Sequence, residues 1–129
     1  MLKVSNREIK ITRGDTGYLC VKATLDNGEP VKFYSGDSMR LTVREEPNNG
    51  SEALITVYGT MSNGDDHFTI KIQPSATKSV PVGRYSADIQ LIRKNGDVFT
   101  LFPNEIERRA SVTDKINFGN FWILPEVTI

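Results

Sequence analysis

Cys20 and His67 are the only cysteine and the only histidine of the chain, so nucleophilic catalysis would have to be built on them. A thiol nucleophile needs a base at hydrogen-bonding range. The two residues instead fall in separate strand-like segments, and neither a nucleophile elbow nor a phosphate-cradling glycine loop occurs. Cys20 lies in the apolar run from Tyr18 to Val21 and reads as a core residue. Being alone, it excludes an intrachain disulfide. Asp65, Asp66 and His67 put three metal-ligating side chains in a row. Neighbours along a strand point to opposite faces, and no second cluster offers the remaining ligands. They read as a solvated turn. Glu45-Glu46 and the Glu105/Glu107 pair read as solvated edges rather than acid and base. No enzyme activity, metal or cofactor is expected.

Two short binding motifs have simple structural explanations. Arg13-Gly14-Asp15 is the tripeptide read by integrins, but it also suits a tight turn between two strands, with Gly at positive φ and Asp bonding its own backbone. Asn49-Gly50-Ser51 fits the N-glycosylation pattern and reads as a loop. The concentrated aromatic group is Phe118, Phe121 and Trp122. It is either the packing of a final strand or an interface anchor. Phe121 and Trp122 are adjacent, so in a strand one of them needs a cover other than the domain's own core.

The elements that position these residues follow from alternation and turns. Asn27-Gly28, Asn49-Gly50, Asn63-Gly64 and Asn95-Gly96 are the dipeptides that most readily adopt hairpin turns. Between the turn signals, Glu8 to Thr12, Thr16 to Leu25, Ser38 to Arg44, Leu54 to Tyr58, His67 to Gln73 and Arg84 to Arg93 read as strands. The predicted core positions are Ile9 and Ile11; Leu19, Val21, Ala23 and Leu25; Met39, Leu41 and Val43; Phe68, Ile70 and Ile72; and Tyr85, Ala87, Ile89 and Leu91. Pro74 to Pro81 has room for one helical turn, and no segment sustains a 3.6-residue apolar period. Asn104 to Lys115 fits a loop or an edge strand, and 118–129 a closing strand or interface tail that ends its strand near Pro125. A two-residue turn at Asn95-Gly96 sets Ile89 opposite Phe102 and Leu91 opposite Thr100. Phe99 and Leu101 then fall on the face away from the core, where either a bulge re-aims them or something covers them.

The expected fold is therefore all-β: an antiparallel two-sheet β-sandwich of about eight to nine short strands with little or no helix, a small barrel being the alternative. The length of 129 residues suits one domain, 1–129. Sixteen basic and sixteen acidic residues cancel, which leaves no electrostatic footprint for nucleic acid or an anionic membrane. The first residues carry no apolar region of signal-peptide length, so synthesis in a cytoplasm without signal-peptide export is expected. No apolar stretch approaches the length of a transmembrane helix.

Three stretches together resemble a known family. Ile9-Lys10-Ile11-Thr12-Arg13-Gly14-Asp15-Thr16 opens the chain; Val80-Pro81-Val82-Gly83-Arg84-Tyr85 with Asp88-Ile89-Gln90-Leu91 forms its centre; Asn95-Gly96-Asp97-Val98-Phe99-Thr100-Leu101 completes a hairpin. Their combination is similar to the immunoglobulin-like β-sandwich domains of tailed-phage virion proteins, notably the N-terminal domain of baseplate upper proteins. The end, Phe121 to Thr128, looks like that family's closing strand. Those proteins continue into coiled coils or receptor-binding modules, so only the domain is carried over. The resemblance implies a non-enzymatic structural or assembly protein of a phage or prophage particle, with itself or other virion proteins as partners and homo-oligomeric, trimeric or hexameric, association. Phe99, Leu101, Phe118, Phe121 and Trp122 are the candidate interface. The alternative is a carbohydrate-binding β-sandwich module, for which Tyr18, Tyr34, Tyr58 and Trp122 would form the platform.

Overall fold

Apolar alternation sets most of the strands seen in the computed structural model, which describes residues 2–5, 8–25, 27–45, 52–102 and 119–126. The elements are β1 (Leu2–Ser5), β2 (Glu8–Thr12), β3 (Gly17–Val21), β4 (Ser38–Arg44), β5 (Ala53–Tyr58), β6 (Phe68–Ile72), α1 (Pro74–Lys78), β7 (Gly83–Ile92), β8 (Val98–Phe102) and β9 (Gly119–Leu124). Among the described residues the chain is all-β apart from α1, the single helical turn predicted between Pro74 and Pro81. Asn49-Gly50-Ser51, Glu46, Asn104 to Lys115, Phe118 and the last three residues lie outside the described residues.

Seven strands form one sheet in the order β1-β2-β9-β7-β4-β5, with β8 also on β7; β3 and β6 form a second, two-stranded sheet. β4 pairs with residues of β7 that face β8 and with others that face β9, so β8 and β9 must follow one another along a single edge of β7. The sheet is mixed rather than wholly antiparallel, because β9 runs parallel to β2 from Glu8↔Asn120 to Thr12↔Leu124. The two strands come from opposite ends of the chain, so no short connection dictates their direction. β1 is a strand that the sequence did not announce.

The core is one cluster drawn from both sheets. Ile9, Ile11, Met39, Leu41, Val43, Ile55, Ala87, Ile89, Leu91, Phe121 and Ile123 come from the large sheet, and Leu19, Phe68, Ile70 and Ile72 from the small one. Phe33, from the connection between β3 and β4, meets Phe68 edge-on with ring centroids 4.8 Å apart, a favoured aromatic geometry. Leu25 breaks the expected pattern and is half exposed. The strand stops at Val21, and the chain folds back through a bridge between Thr24 and Pro30 instead of continuing in the sheet.

Tyr85 closes the passage from α1 into β7. Its ring packs on the core and its hydroxyl donates to the Pro81 carbonyl at 2.5 Å. Burial, with a smaller push from Glu45, raises the phenol above its ordinary value, so it stays a donor throughout the physiological range. Tyr85→Phe keeps the ring and removes this bond. It is expected to cost about 1 kcal/mol, measurable as a lowered midpoint in urea. An unchanged midpoint would mean that the bond contributes nothing to the corner.

Candidate interaction surface

The β7–β8 hairpin decides where two of the candidate interface residues point. Its turn is one residue longer than expected. Arg93 N–H donates to the Asp97 carbonyl at 2.8 Å and Gly96 N–H to the Arg93 carbonyl at 2.9 Å, so Lys94, Asn95 and Gly96 form a three-residue loop. Gly96 takes φ +96°, the left-handed position such loops require, and the Asn95 side chain accepts from Asp97 N–H. Pairing is thereby shifted by one, placing Leu91 opposite Phe99 and Gln90 opposite Thr100. An irregularity then inserts Leu101 as an extra residue and returns Phe102 to its expected place opposite Ile89. A bulge does re-aim the strand. Phe99 shares the core-side face with Leu91 but lies at the hairpin's tip, half exposed. Leu101 and Phe102 pack against the core.

The closing strand separates its two aromatics. Phe121 is fully buried between β2 and β7, opposite Ile9 and Tyr85. Trp122 points to the other face of the sheet, where its indole N–H donates to Glu8 at 3.3 Å and the Arg84 guanidinium stands 6.0 Å from its ring centre. The polar face thus supplies Trp122 with the cover that the core supplies to Phe121. The candidate residues do not form one patch. Phe121 and Leu101 serve the core, Trp122 lies on the outer face and Phe99 at the hairpin tip, while Phe118 is outside the described residues.

The tyrosines proposed for a sugar platform are dispersed as well. Tyr18 stands on the outward side of the small sheet, with the Lys71 ammonium 5.6 Å from its ring centre. Tyr58 and Trp122 share the outer face of the large sheet but pair through β4 and β7 to rungs at Gln90 and Arg84. Those rungs are six residues apart, roughly 20 Å at 3.3 Å per residue. Tyr18, Tyr58 and Trp122 do not assemble a single ring-stacking platform.

Between these two aromatics the outer face is polar. Arg40 donates to Gln90 at 2.8 Å, and Asp88 lies opposite Thr42, one rung from Arg44 and Ser86. Thr42 and Ser86 are buried. Burial is the largest influence on Asp88 and raises its carboxyl above the usual range, against the pull of Arg44 and Arg40. The folded protein therefore holds that proton more tightly than the unfolded chain. Stability should fall as pH rises from the ordinary carboxylate range through the raised value. Asp88→Asn is expected to flatten this part of the pH–stability curve and to raise the melting temperature at neutral pH. An identical slope in the variant would show that Asp88 does not titrate differently on folding.

The remaining motifs hold the fold together. In the Arg13-Gly14-Asp15 turn, Arg13 N–H donates to the Leu124 carbonyl at 3.0 Å and Gly14 N–H to the hydroxyl of the buried Thr77 at 2.9 Å. Arg13 also pairs with Glu126 at 3.6 Å. The turn pins the first strands to both α1 and the closing strand. Asp65 accepts from Ser62 N–H at 2.9 Å, capping its own turn, and Asp66 pairs with His67 at 3.2 Å. The hydrogen bond from His67 is the main cause of a lowered Asp66 carboxyl. No group of three or more His, Cys, Asp or Glu that could hold a metal stands together among the described residues.

Cys20 is exposed rather than buried. Gly17 and Leu19 take the inward positions of β3, which leaves Tyr18 and Cys20 outside. Sequence reasoning also passed over Asp37. Its nearly buried carboxylate accepts from Tyr34 N–H and Lys94 N–H, both at 2.9 Å, with Arg93 at 3.6 Å. It ties the loop before β4 to the hairpin tip, and the signal was a turn residue preceded by Gly36.

The chain is thus an all-β protein with one mixed seven-stranded sheet and one two-stranded sheet around a common core. No protein-family model matches it, and neither does any curated protein.

Proposed function

We propose that the protein is a non-enzymatic structural or assembly component of a tailed phage or prophage particle, in its baseplate, tail or head. It is built on an immunoglobulin-like two-sheet sandwich and works through contacts with itself or with other virion proteins. The observation that carries this reading is that the three stretches resembling phage virion domains are the joints of the fold. Arg13-Gly14-Asp15 clamps the first strands to Thr77 and Leu124. Tyr85 bonds back to Pro81 at the entry to β7, in the manner of the tyrosine corner of immunoglobulin sandwiches. Asn95-Gly96 turns the hairpin that presents Phe99.

Strand placement agrees with the same plan. β4, β7 and the β8/β9 edge lie side by side, as the C, F and G strands of such domains do, while β3 and β6 form the facing pair. Val98 and Phe99, half exposed at the hairpin tip, remain available to a partner. The test is to purify particles from the phage or induced lysogen that encodes the chain and to search them by mass spectrometry. The protein is expected in stoichiometric amounts. Its absence from particles that assemble normally would overturn the reading.

A further inference from the structure

We propose that the free edge of β5 is a two-fold interface at which a second copy of this chain adds its own β5, joining the two large sheets into one. The inference deepens the assembly reading above by naming one surface of self-association. β5 ends the seven-stranded order, and its second edge pairs with no strand among the described residues, β6 reaching that edge only through the bridge at Thr60. Gly59 N–H donates to the Met39 carbonyl at 2.8 Å. Groups alternate along a strand, so Thr56 and Tyr58 turn their N–H and C=O groups away from β4 and toward that open edge.

Edges of this kind are normally blunted by lysine, proline or a covering loop. Ala53-Leu54-Ile55-Thr56-Val57-Tyr58 contains neither proline nor any charge. Leu54 and Tyr58 are exposed large apolar side chains. The edges of the small sheet are less open. β6 is bridged on its second edge at Thr69, which pairs with Thr60. At the start of β3, Leu2 lies where a Cβ on Gly17 would stand only 2.7 Å away.

The register follows from the face pattern together with the two limits of the open edge. Residues directly opposite share a face, so core-side Ile55 and Val57 must meet core-side residues. A two-fold axis through Thr56 pairs Ile55 with Val57 on the core side. On the outer side it pairs Thr56 with Thr56 and Leu54 with Tyr58. Both outward groups of Thr56 then exchange hydrogen bonds with their symmetry mates. The Thr60–Thr69 bridge closes the same edge just beyond Tyr58, which sets the length of the added strand. The irregularity in β4–β5 pairing at Leu54 marks its other limit. A net charge of zero offers no long-range repulsion between copies.

Sedimentation equilibrium of the whole chain should show a reversible dimer. Thr56→Lys sets two ammonium groups against each other at the axis and should weaken dimerisation by about tenfold or more, with an unchanged circular dichroism spectrum. In a Cys20→Ser background, Thr56→Cys should form a disulfide-linked dimer under mild oxidation. Tyr58→Cys should not, because its own symmetry mate lies roughly 13 Å away along the strands. A chain that is monomeric throughout, a dimer indifferent to Thr56→Lys, or equal cross-linking at both positions would overturn the proposal. Each of these readouts is independent of whether the protein is found in particles, so failure here and failure of the virion reading are separate results.

Discussion

Phe121→Ala is expected to remove roughly 3–5 kcal/mol of stability, the usual range for truncating a fully buried phenylalanine. A domain of this size has only about 5–15 kcal/mol in total. Phe121 has no exposed surface and sits on a strand with hydrogen-bonded neighbours on both sides, β2 and β7. Neither neighbour can move inward to fill the space without breaking its own pairing, so the cavity should persist. The informative control is the next residue. Trp122→Ala removes a larger side chain, yet that side chain lies on the outer face, held by Glu8 and Arg84. Its loss should cost about 1–2 kcal/mol from one hydrogen bond and one exposed cation–π contact. Urea unfolding of the pair should separate the midpoints clearly. Equal losses would mean that the outer face is as tightly covered as the core.

Gly119→Ala is the second large effect, and it runs through crowding rather than a cavity. A Cβ at this position would overlap Cε2 of Phe102 and stand within 2.7 Å of two further ring atoms. The cause is topological. β8 and β9 follow one another along the same edge of β7, with Phe102 opposite Ile89 and Gly119 opposite Ala87. The last ring of one strand therefore lies over the first residue of the next. Adding a methyl group must expel that ring or push β9 from β7, at about 1–3 kcal/mol. A double variant, Gly119→Ala with Phe102→Ala, should recover part of the loss because the two sites share one space. If the single variant melts with the native protein, Phe102 does not occupy that position in solution.

Much of this architecture was legible because alternation carries strand and face together. Met39, Leu41 and Val43 in β4, Phe68, Ile70 and Ile72 in β6, and Ala87, Ile89 and Leu91 in β7 are buried as their spacing predicts. Cys20 was legible too: Leu19 and Val21 were already placed on one face, which sends Cys20 to the other, and the apolar character of its neighbours obscured that. Turn length was less accessible. Asn95-Gly96 suits a two-residue turn, but it serves equally as the last two residues of a three-residue loop, and one residue of difference exchanges the faces of Phe99 and Thr100. The parallel pairing of β2 with β9 could not be read at all, since strand direction across the length of a chain leaves no local pattern. The scattering of the candidate interface has the same origin. Adjacent residues such as Phe121 and Trp122 form a cluster in the sequence and are placed on opposite faces by the strand.

That parallel pair has a mechanical consequence. When the two ends of the chain are drawn apart, tension pulls β2 toward Glu8 and β9 toward Leu124, in opposite directions along a shared line of hydrogen bonds. β1, an antiparallel edge strand, can peel away one rung at a time. β2 and β9 cannot, because the five pairs from Glu8↔Asn120 to Thr12↔Leu124 are strained together and must slide as a unit. Resistance of this kind resides in the rate of forced unfolding rather than in equilibrium stability. A chain held by its two ends in a particle under tension would meet that force in shear, its most resistant direction.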